Sequence, residues 1–313
     1  MSSSFRDAVC DALIASASDN PSVMVLSPDV ARALRLERFL ERFPNQYVSV
    51  GISEANMVGS AAGLASVGYT PVIVGFSMFV AEKPFEQIRN VVAYPNLNVK
   101  IIATHSGLCV GQDGATHQAT EDIAVMRMLP GFRVLAACDV PQTKALVSDM
   151  VRRTGPAYLR LGRDKAIPVY SEIGSVSERG ADVLRDGDDV AVFTTGTMVP
   201  YVLEASAALE REGIHASVVN VFSIKPMDED IVVSFARRCR CVVTAEDHFI
   251  AGGLGGAICE VLCARCPSPV ERVGVRDTFG ESGSQDDLYI KYGLTPSDVR
   301  DAAHRAISRR VGG

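Results

Sequence analysis

The sequence lacks any run of lysine or arginine, and its 31 basic residues are outnumbered by 37 acidic ones, which gives a net charge of −6. A nucleic-acid partner usually requires a clustered basic face, so we expect none. No apolar stretch is long enough to span a bilayer, and residues 1–7 lead into an amphipathic pattern without an apolar signal core. We therefore expect no membrane partner and a cytoplasmic location.

Low-complexity tracts are also absent, and 47% apolar with 22% charged residues is typical of a globular protein. The eight cysteines are irregularly spaced, which suits buried thiols in a reducing compartment better than a disulfide framework. Cys239 with Cys241 and Cys263 with Cys266 form two close pairs that could together bind zinc. Because the pairs fall at a predicted strand start and helix end, we favour small apolar packing residues and predict no metal site.

Short β-rich runs alternate with longer helical patterns, which is typical of an α/β protein with parallel sheets and crossover helices. In the first half, predicted strands cover residues 23–27, 47–50, 71–75, 99–104, 133–136 and 157–161. A second series has predicted strands at 190–193, 217–221 and 242–245 and closes with a helix near 296–308. We predict two domains, residues 1–165 and a smaller one at 182–313, joined by a linker over 166–181.

Glu54 follows a predicted strand and opens a helix whose residues 59–65 are almost all small. An isolated Glu at a helix start is most often a solvated acid favoured by the helix dipole. The carboxyl end of a strand is, however, where open α/β sheets bind ligands. This position favours a functional role for Glu54, and the small residues predict a closely packed partner on that helix.

Phe76 and Phe79 lie three residues apart after another predicted strand end. They could stack on a flat ring or serve as plain core residues, and the spacing alone does not decide between the two.

Two histidines and a carboxylate, His105, Asp113 and His117, share a glycine-flanked loop of about a dozen residues between a strand and a helix. Loops of this length in compact domains are usually functional, and imidazoles transfer protons near neutral pH. The spacing matches no common metal-ligand set, so proton transfer is favoured over metal binding. A later glycine run, residues 251–257, superficially resembles a phosphate cradle, but it lacks the G-x-G-x-x-G spacing and we favour a structural role.

Taken together, these segments resemble the C-terminal half of transketolase, and most closely the C-terminal subunit of transketolases split into two chains. The resemblance covers residues from about 20 to 310 and rests on Gly-Ile-Ser-Glu-Ala-Asn-Met at 51–57, Phe76 with Phe79, Glu-Gln-Ile-Arg-Asn at 86–90, Gln-Asp-Gly-Ala-Thr-His-Gln at 112–118, Ile-Lys-Pro-Met-Asp at 224–228, and Glu-Asp-His at 246–248 with the glycine run after it.

The resemblance implies a pyrimidine-binding domain of the thiamine-diphosphate fold with a parallel sheet, followed by a transketolase C-terminal α/β domain. Glu54 would hydrogen-bond the aminopyrimidine ring of thiamine diphosphate and promote the tautomer that removes the thiazolium C2 proton. Phe76 and Phe79 would stack on or line the pyrimidine. His105, Asp113 and His117 would face the sugar, with both histidines as candidate catalytic residues. Arg163 matches the position that holds the distal phosphate of the sugar.

No segment resembles the other half of the cofactor site, where Gly-Asp-Gly and a following Asn bind the diphosphate and a divalent metal. The resemblance therefore implies a separate N-terminal subunit that holds Mg²⁺ or Ca²⁺, an α2β2-like heterotetramer, and a chain that is inactive alone. The expected reaction transfers a two-carbon ketol unit between sugars or sugar phosphates.

Departures from the family pattern occur at residues 29–32, where Asp-Val-Ala-Arg replaces an Asp-Leu followed by serines, and at 82–85, where Glu-Lys-Pro-Phe replaces a pattern that is commonly Gly-Arg-Ala-Tyr. We therefore leave both sugars open. The alternatives are a β subunit of a 2-oxo acid dehydrogenase, a deoxyxylulose-phosphate-synthase-like protein, and a non-catalytic regulatory subunit. The loop at 113–118 argues against the dehydrogenase subunit, and the missing diphosphate half argues against the single-chain synthase. The presence of Glu54, Asp113, His105 and His117 argues against a non-catalytic subunit.

Overall fold

The computed structural model describes residues 4–163, 166–173, 176 and 180–310. The first part of the chain alternates helices and strands in the order α1 (Phe5–Asp19), β1 (Val23–Ser27), α2 (Glu37–Arg42), β2 (Tyr47–Ser49), α3 (Glu54–Ser66), β3 (Thr70–Phe76), α4 (Phe85–Gln87), β4 (Lys100–Thr104), α5 (Asp122–Arg127), β5 (Arg133–Ala136), α6 (Val140–Arg152) and β6 (Ala157–Arg160). Wide π-helical turns at Met78–Glu82 and Ile88–Ala93 flank α4.

The second part has the order β7 (Ala181–Arg185), β8 (Val190–Thr194), α7 (Val199–Arg211), β9 (Ala216–Val221), β10 (Ser223–Lys225), α8 (Glu229–Cys239), β11 (Val242–Phe249), α9 (Leu254–Arg265), β12 (Val270–Val275), α10 (Gln285–Tyr292) and α11 (Pro296–Ser308). Ala181, which falls within the predicted linker, begins β7. Residues 174, 175 and 177–179 of the predicted linker lie outside the described residues.

Two mostly parallel sheets organise the described residues, with strand orders β10-β5-β6-β4-β3-β1-β2 and β12-β11-β8-β9-β7. β10 and β7 are the antiparallel exceptions and lie at sheet edges. The central strands β3 and β4 are buried almost throughout, as expected for parallel strands covered by helices on both faces. The predicted fold class, two α/β domains, is confirmed.

Side chains cap the starts of α6, α8, α10 and α11. Asp139 accepts the backbone N–H of Gln142 at 2.9 Å and so caps α6, which also has a proline in its first turn. Thr295 and Asp298 form a reciprocal capping box at the start of α11. These caps satisfy N–H groups that have no acceptor within the helix.

The two sheets are joined by more than the connecting segment. β10 follows β9 of the second sheet but pairs with β5 of the first, with Ser223 opposite Leu135. One buried apolar cluster includes Ile73 and Ile101 of the first sheet and Phe193 and Val219 of the second. The smaller domain is therefore less separate than the sequence pattern indicated, because the two domains share a strand and a core.

The cysteine pairs do not form a metal centre in the part of the chain that the structure describes, where no group of three or more His, Cys, Asp or Glu side chains is arranged to hold a metal ion. Cys239 ends α8 and Cys241 precedes β11, and the thiols of both point to backbone carbonyls. Within the described ranges, no helix has the length and apolar character needed to cross a membrane.

Candidate active site

Glu54 is the first residue of α3, and its side chain is 4% exposed. The helix therefore presents a buried carboxylate at its N-terminus, where the backbone dipole favours negative charge. Glu54 Oε2 accepts a hydrogen bond from Lys83 Nζ at 2.6 Å, and the Lys83 side chain is 54% exposed. The solvated-acid interpretation is wrong, since this carboxylate lies inside the protein beside a cation.

An apolar cleft of about 200 Å³ adjoins this carboxylate. Its walls are formed by Pro28, Val30, Ile52, Glu54, Phe76, Phe79 and Lys83. The rings of Phe76 and Phe79 lie 6.4 Å apart and are both partly exposed, so they are not plain core residues. Flat apolar walls with one buried acceptor fit an aminopyrimidine ring, which needs stacking surfaces and a partner for a ring nitrogen.

His105 and His117 each contact one of the two phenylalanines that line this cleft. The ring centroids of His105 and Phe76 lie 4.1 Å apart, and those of His117 and Phe79 lie 5.1 Å apart with nearly perpendicular planes. His105 is the first residue of the loop after β4 and has a left-handed backbone conformation (φ 57°). Its Nδ1 lies 2.9 Å from Thr104 Oγ1. The structure thus brings together the four aromatic and imidazole side chains singled out in the sequence.

His105 is electrically neutral in this environment. Burial lowers its pKa to about 3, and the charges of Arg6, Arg163 and His117 act in the same direction. A neutral imidazole has one donor and one acceptor nitrogen, so His105 is suited to hydrogen-bond a polar ligand group.

Asp113 and Arg163 also meet, through an ion pair of 3.1 Å between half-buried side chains. Arg163 Nη1 additionally donates to the carbonyl of Val110 at 2.6 Å, which ties the arginine to the loop. The predicted site residues therefore divide into an apolar cleft around Glu54 and a charged group around Arg163, whose charge acts on His105.

Two cations at this site, Arg6 and Lys83, were not predicted from the sequence. Arg6, in the first turn of α1, donates to the carbonyl of Ala33 at 2.6 Å, and its charge acts on both His105 and Arg163. No local pattern links Arg6 to a loop about a hundred residues later. Lys83 had a usable signal, because it lies in one of the two segments that depart from the family pattern.

Glu82, the neighbour of Lys83 in that segment, lies close to two acidic residues. Burial together with the charges of Glu121 and Asp122 raises the pKa of Glu82 to about 8. In the segment 82–85, which departs from the family pattern, Lys83 therefore lines the cleft and Glu82 lies in an acidic environment.

The glycine run at 251–257 has a structural role. Glu246 accepts the backbone N–H groups of Leu254 at 2.7 Å and Gly255 at 2.8 Å, so its carboxylate covers the N-terminus of α9. A Cβ on Gly253 would lie 2.0 Å from Glu246 Oε2, which explains the glycine there. An internal acid thus stands where a phosphate would bind.

Comparison with known proteins decides the family. Residues 2–167 match the transketolase pyrimidine-binding domain, and residues 180–299 match the transketolase C-terminal domain. The chain belongs to the transketolase family. This family depends on thiamine diphosphate, and the predicted resemblance to the C-terminal subunit of a split transketolase is confirmed.

Similarity to individual transketolase subunits extends over nearly the whole chain. The chain is 39% identical to the 6-deoxy-6-sulfo-D-fructose transketolase subunit SqwH of Clostridium sp. (strain MSTE9), across 97% of this chain and 95% of that protein. It is 41% identical to a putative transketolase C-terminal section of Methanocaldococcus jannaschii, across 89% and 88%. A solved split gene transketolase, described as an inactive β4 tetramer, is 41% identical, with a TM-score of 0.91 and coverage of 99% and 100%.

We expect His105 to make the stability of the chain depend on pH. In the unfolded chain His105 takes up a proton near pH 6.5, whereas in the folded protein its pKa is about 3. The contribution of His105 to the free energy of unfolding is therefore fully present above pH 6.5. It falls by up to about 1.4 kcal/mol per pH unit as the pH drops towards 3. Urea denaturation between pH 7 and 4.5 should show that the free energy of unfolding depends less steeply on pH in His105→Gln than in the wild type. The exposed His215→Gln is the control, and equal slopes in the two variants would contradict the expectation.

Lys83 should stabilise the buried carboxylate of Glu54. We expect Lys83→Gln to lower the free energy of unfolding by about 1–3 kcal/mol, because Glu54 then loses its charged hydrogen-bond donor. Lys291→Gln breaks an ion pair with Glu281 between exposed side chains and should cost less than about 1 kcal/mol. Chemical denaturation of both variants measures the difference, and equal losses would show that Glu54 does not depend on Lys83.

Proposed function

We propose that the chain is the C-terminal subunit of a thiamine-diphosphate-dependent transketolase, which transfers a two-carbon ketol unit from a ketose to an aldose. The observation that carries this proposal is the buried Glu54 carboxylate at the wall of an apolar cleft between Phe76 and Phe79. A buried acid beside flat apolar side chains suits a heteroaromatic ring with a basic nitrogen.

In this function Glu54 hydrogen-bonds a nitrogen of the cofactor's aminopyrimidine, and Phe76 and Phe79 pack against the ring. The low exposure of Glu54 keeps water from competing for that hydrogen bond. When bound, the cofactor supplies the carbanion chemistry of the reaction. The contribution of this chain is to orient the ring and to share a proton at its nitrogen.

The sugar lies against the loop that carries His105, Asp113 and His117. Neutral His105 hydrogen-bonds a hydroxyl or carbonyl oxygen, whereas Arg163 and Arg6 supply positive charge at the same end of the site. Two cations that act on one imidazole favour a substrate with a distal anion. The similar SqwH subunit is named for a sulfonated fructose, and a sulfonate offers the same oxygen acceptors as a phosphate.

A second polypeptide completes the site. No segment of the sequence resembles the part that binds the diphosphate and its metal, and we assign that role to a larger N-terminal subunit that holds Mg²⁺ or Ca²⁺ in an α2β2-like complex. Next to Glu54, α3 exposes Ala55, Asn56, Gly59 and Gly63. A Cβ on Gly59 or Gly63 would meet no atom within 4 Å, which leaves room for the close approach of another backbone.

Reconstitution tests the function directly. The chain should be inactive alone and, when it is mixed with a copurified subunit carrying the diphosphate motif, should transfer two carbons from phosphorylated or sulfonated ketoses to aldoses. The same complex should neither oxidatively decarboxylate pyruvate nor condense it with an aldose phosphate. Activity on pyruvate alone would replace transketolase by one of the other thiamine enzymes.

The role of Glu54 has its own test. In the reconstituted complex, Glu54→Ala should slow hydrogen-deuterium exchange at C2 of bound thiamine diphosphate by about 10²- to 10⁴-fold, the usual contribution of a positioned proton-transfer group. Glu86→Ala, which changes an exposed acid, should leave the exchange rate unchanged. NMR of quenched samples measures the rate, and normal exchange in the Glu54 variant would remove its assigned role and favour a non-catalytic subunit.

The exposed face of α3 can be tested for assembly. Gly63→Leu should fold normally, because its Cβ meets no atom, but should weaken association with the N-terminal subunit by at least about 10-fold through steric exclusion. Gly256→Leu in α9, another helical glycine with open space around its Cβ, is the matched control. Analytical ultracentrifugation of the mixtures reports assembly, and unchanged association of the Gly63 variant would exclude this face from the interface.

A further inference from the structure

The sequence Glu246-Asp247-His248 lies at the end of β11, in the C-terminal domain, and the proposed function does not use it. We infer that Asp247 is a positioning residue for the substrate loop, defined as residues 105–118, so that the C-terminal domain sets the geometry of the sugar site. The inference rests on the proposed function for the identity of the substrate, but its structural part can be tested without it.

Asp247 is 2% exposed, and its carboxylate faces the first domain. Its Oδ1 accepts the backbone N–H of Leu108 at 2.8 Å, and its Oδ2 accepts that of Cys109 at 3.2 Å. These are the first two N–H groups of the helical turn Leu108–Asp113, which have no acceptor within the turn. The carboxylate of one domain thus caps the central turn of a loop in the other.

The loop approaches Asp247 closely at Gly107. A Cβ on Gly107 would lie 2.4 Å from Asp247 Oδ2, and the residue has a left-handed φ of 69°. Both features require glycine, so the loop is built around the acid rather than resting loosely beside it. Tyr289 OH donates to the same Oδ2 at 2.9 Å and fixes the carboxylate from the C-terminal side.

The backbone around Asp247 is held to the first sheet as well. Arg160 Nη2 donates to the Asp247 carbonyl at 2.7 Å, while Arg160 Nε donates to both carboxylate oxygens of the buried Asp122 at 3.0 Å. Two residues beyond Asp247, the N–H of Phe249 donates to the carbonyl of Thr120 at 2.7 Å. The segment 247–249 therefore binds the loop near its beginning and just past its end.

This arrangement acts on the substrate through other residues. Buried Asp247 has no access to a sugar, but the turn that it caps leads directly to Asp113, and the loop continues to His117. Releasing the turn would displace these two groups, and a displacement of about 1 Å in a positioning group can lower turnover by about 10²-fold.

Glu246 provides an internal control. It is the adjacent residue, it is 1% exposed, and its carboxylate also accepts two backbone N–H groups, those of Leu254 and Gly255. Both of these belong to α9 of its own domain. Glu246→Gln and Asp247→Asn therefore remove equivalent charges from neighbouring buried sites, and of the two only Asp247 touches the substrate loop.

The kinetic test uses the reconstituted complex. Asp247→Asn should lower kcat/KM for the sugars by about 10- to 100-fold while leaving hydrogen-deuterium exchange at C2 of the bound cofactor unchanged without sugar. Glu246→Gln should keep kcat/KM within about 2-fold of the wild type. Tyr289→Phe, which removes one donor to Asp247 and keeps the ring, should fall between them. A wild-type kcat/KM in Asp247→Asn, or the same loss in Glu246→Gln, would overturn the inference.

A second measurement separates this inference from the proposed function. In amide hydrogen exchange followed by NMR, Asp247→Asn should speed exchange at Leu108 and Cys109 by at least about 10-fold, and Glu246→Gln should do so at Leu254 and Gly255. A wild-type complex without two-carbon transfer would sink the proposed function and leave this result intact. Unchanged exchange at Leu108 and Cys109 in Asp247→Asn would refute the positioning role even in an active enzyme.

Discussion

The burial of one carboxylate, that of Glu54, is the constraint on which the candidate site depends. Removing an acid from water costs several kcal/mol unless charge and hydrogen bonds offset it. Here the offset comes from the N-terminus of α3 and from the half-exposed ammonium of Lys83. The surrounding walls are apolar, which strengthens each polar interaction made inside the cleft. Lys83 directly follows the wide π-helical turn after β3. The shape of that turn therefore determines whether a positive charge lies beside Glu54.

Much of the fold could be predicted because buried parallel strands are continuous apolar runs. β1 and β5 have the predicted bounds, and α11 matches its predicted range. The strands that escaped prediction have weaker patterns. β10 is only three residues long and ends at Lys225, whereas β7 and β12 are edge strands that carry charged residues, Asp182 and Arg185 in β7 and Glu271 and Arg272 in β12. Their pairing is determined by tertiary contact, which apolar periodicity does not record.

The site was partly visible for a related reason. Phe76 ends a strand, Glu54 and His105 each follow one, and the carboxyl ends of parallel strands meet at one edge of a sheet. Their proximity therefore follows from topology. Arg6 and Asp247 belong to a helix start and to a different sheet, so no local spacing relates them to the loop. Electrostatic and hydrogen-bonding contacts across long sequence separations are the part of this site that a single sequence does not show.

β10 comes from the second half of the chain but forms the edge strand of the first sheet, next to β5. Without residues after about 180, β5 would become an open edge with unpaired backbone groups, and the apolar surface now covered by the second sheet would face water. Exposed edges of this kind recruit strands from other molecules. The pyrimidine-binding half therefore relies on the second domain to cover its edge strand and part of its apolar core.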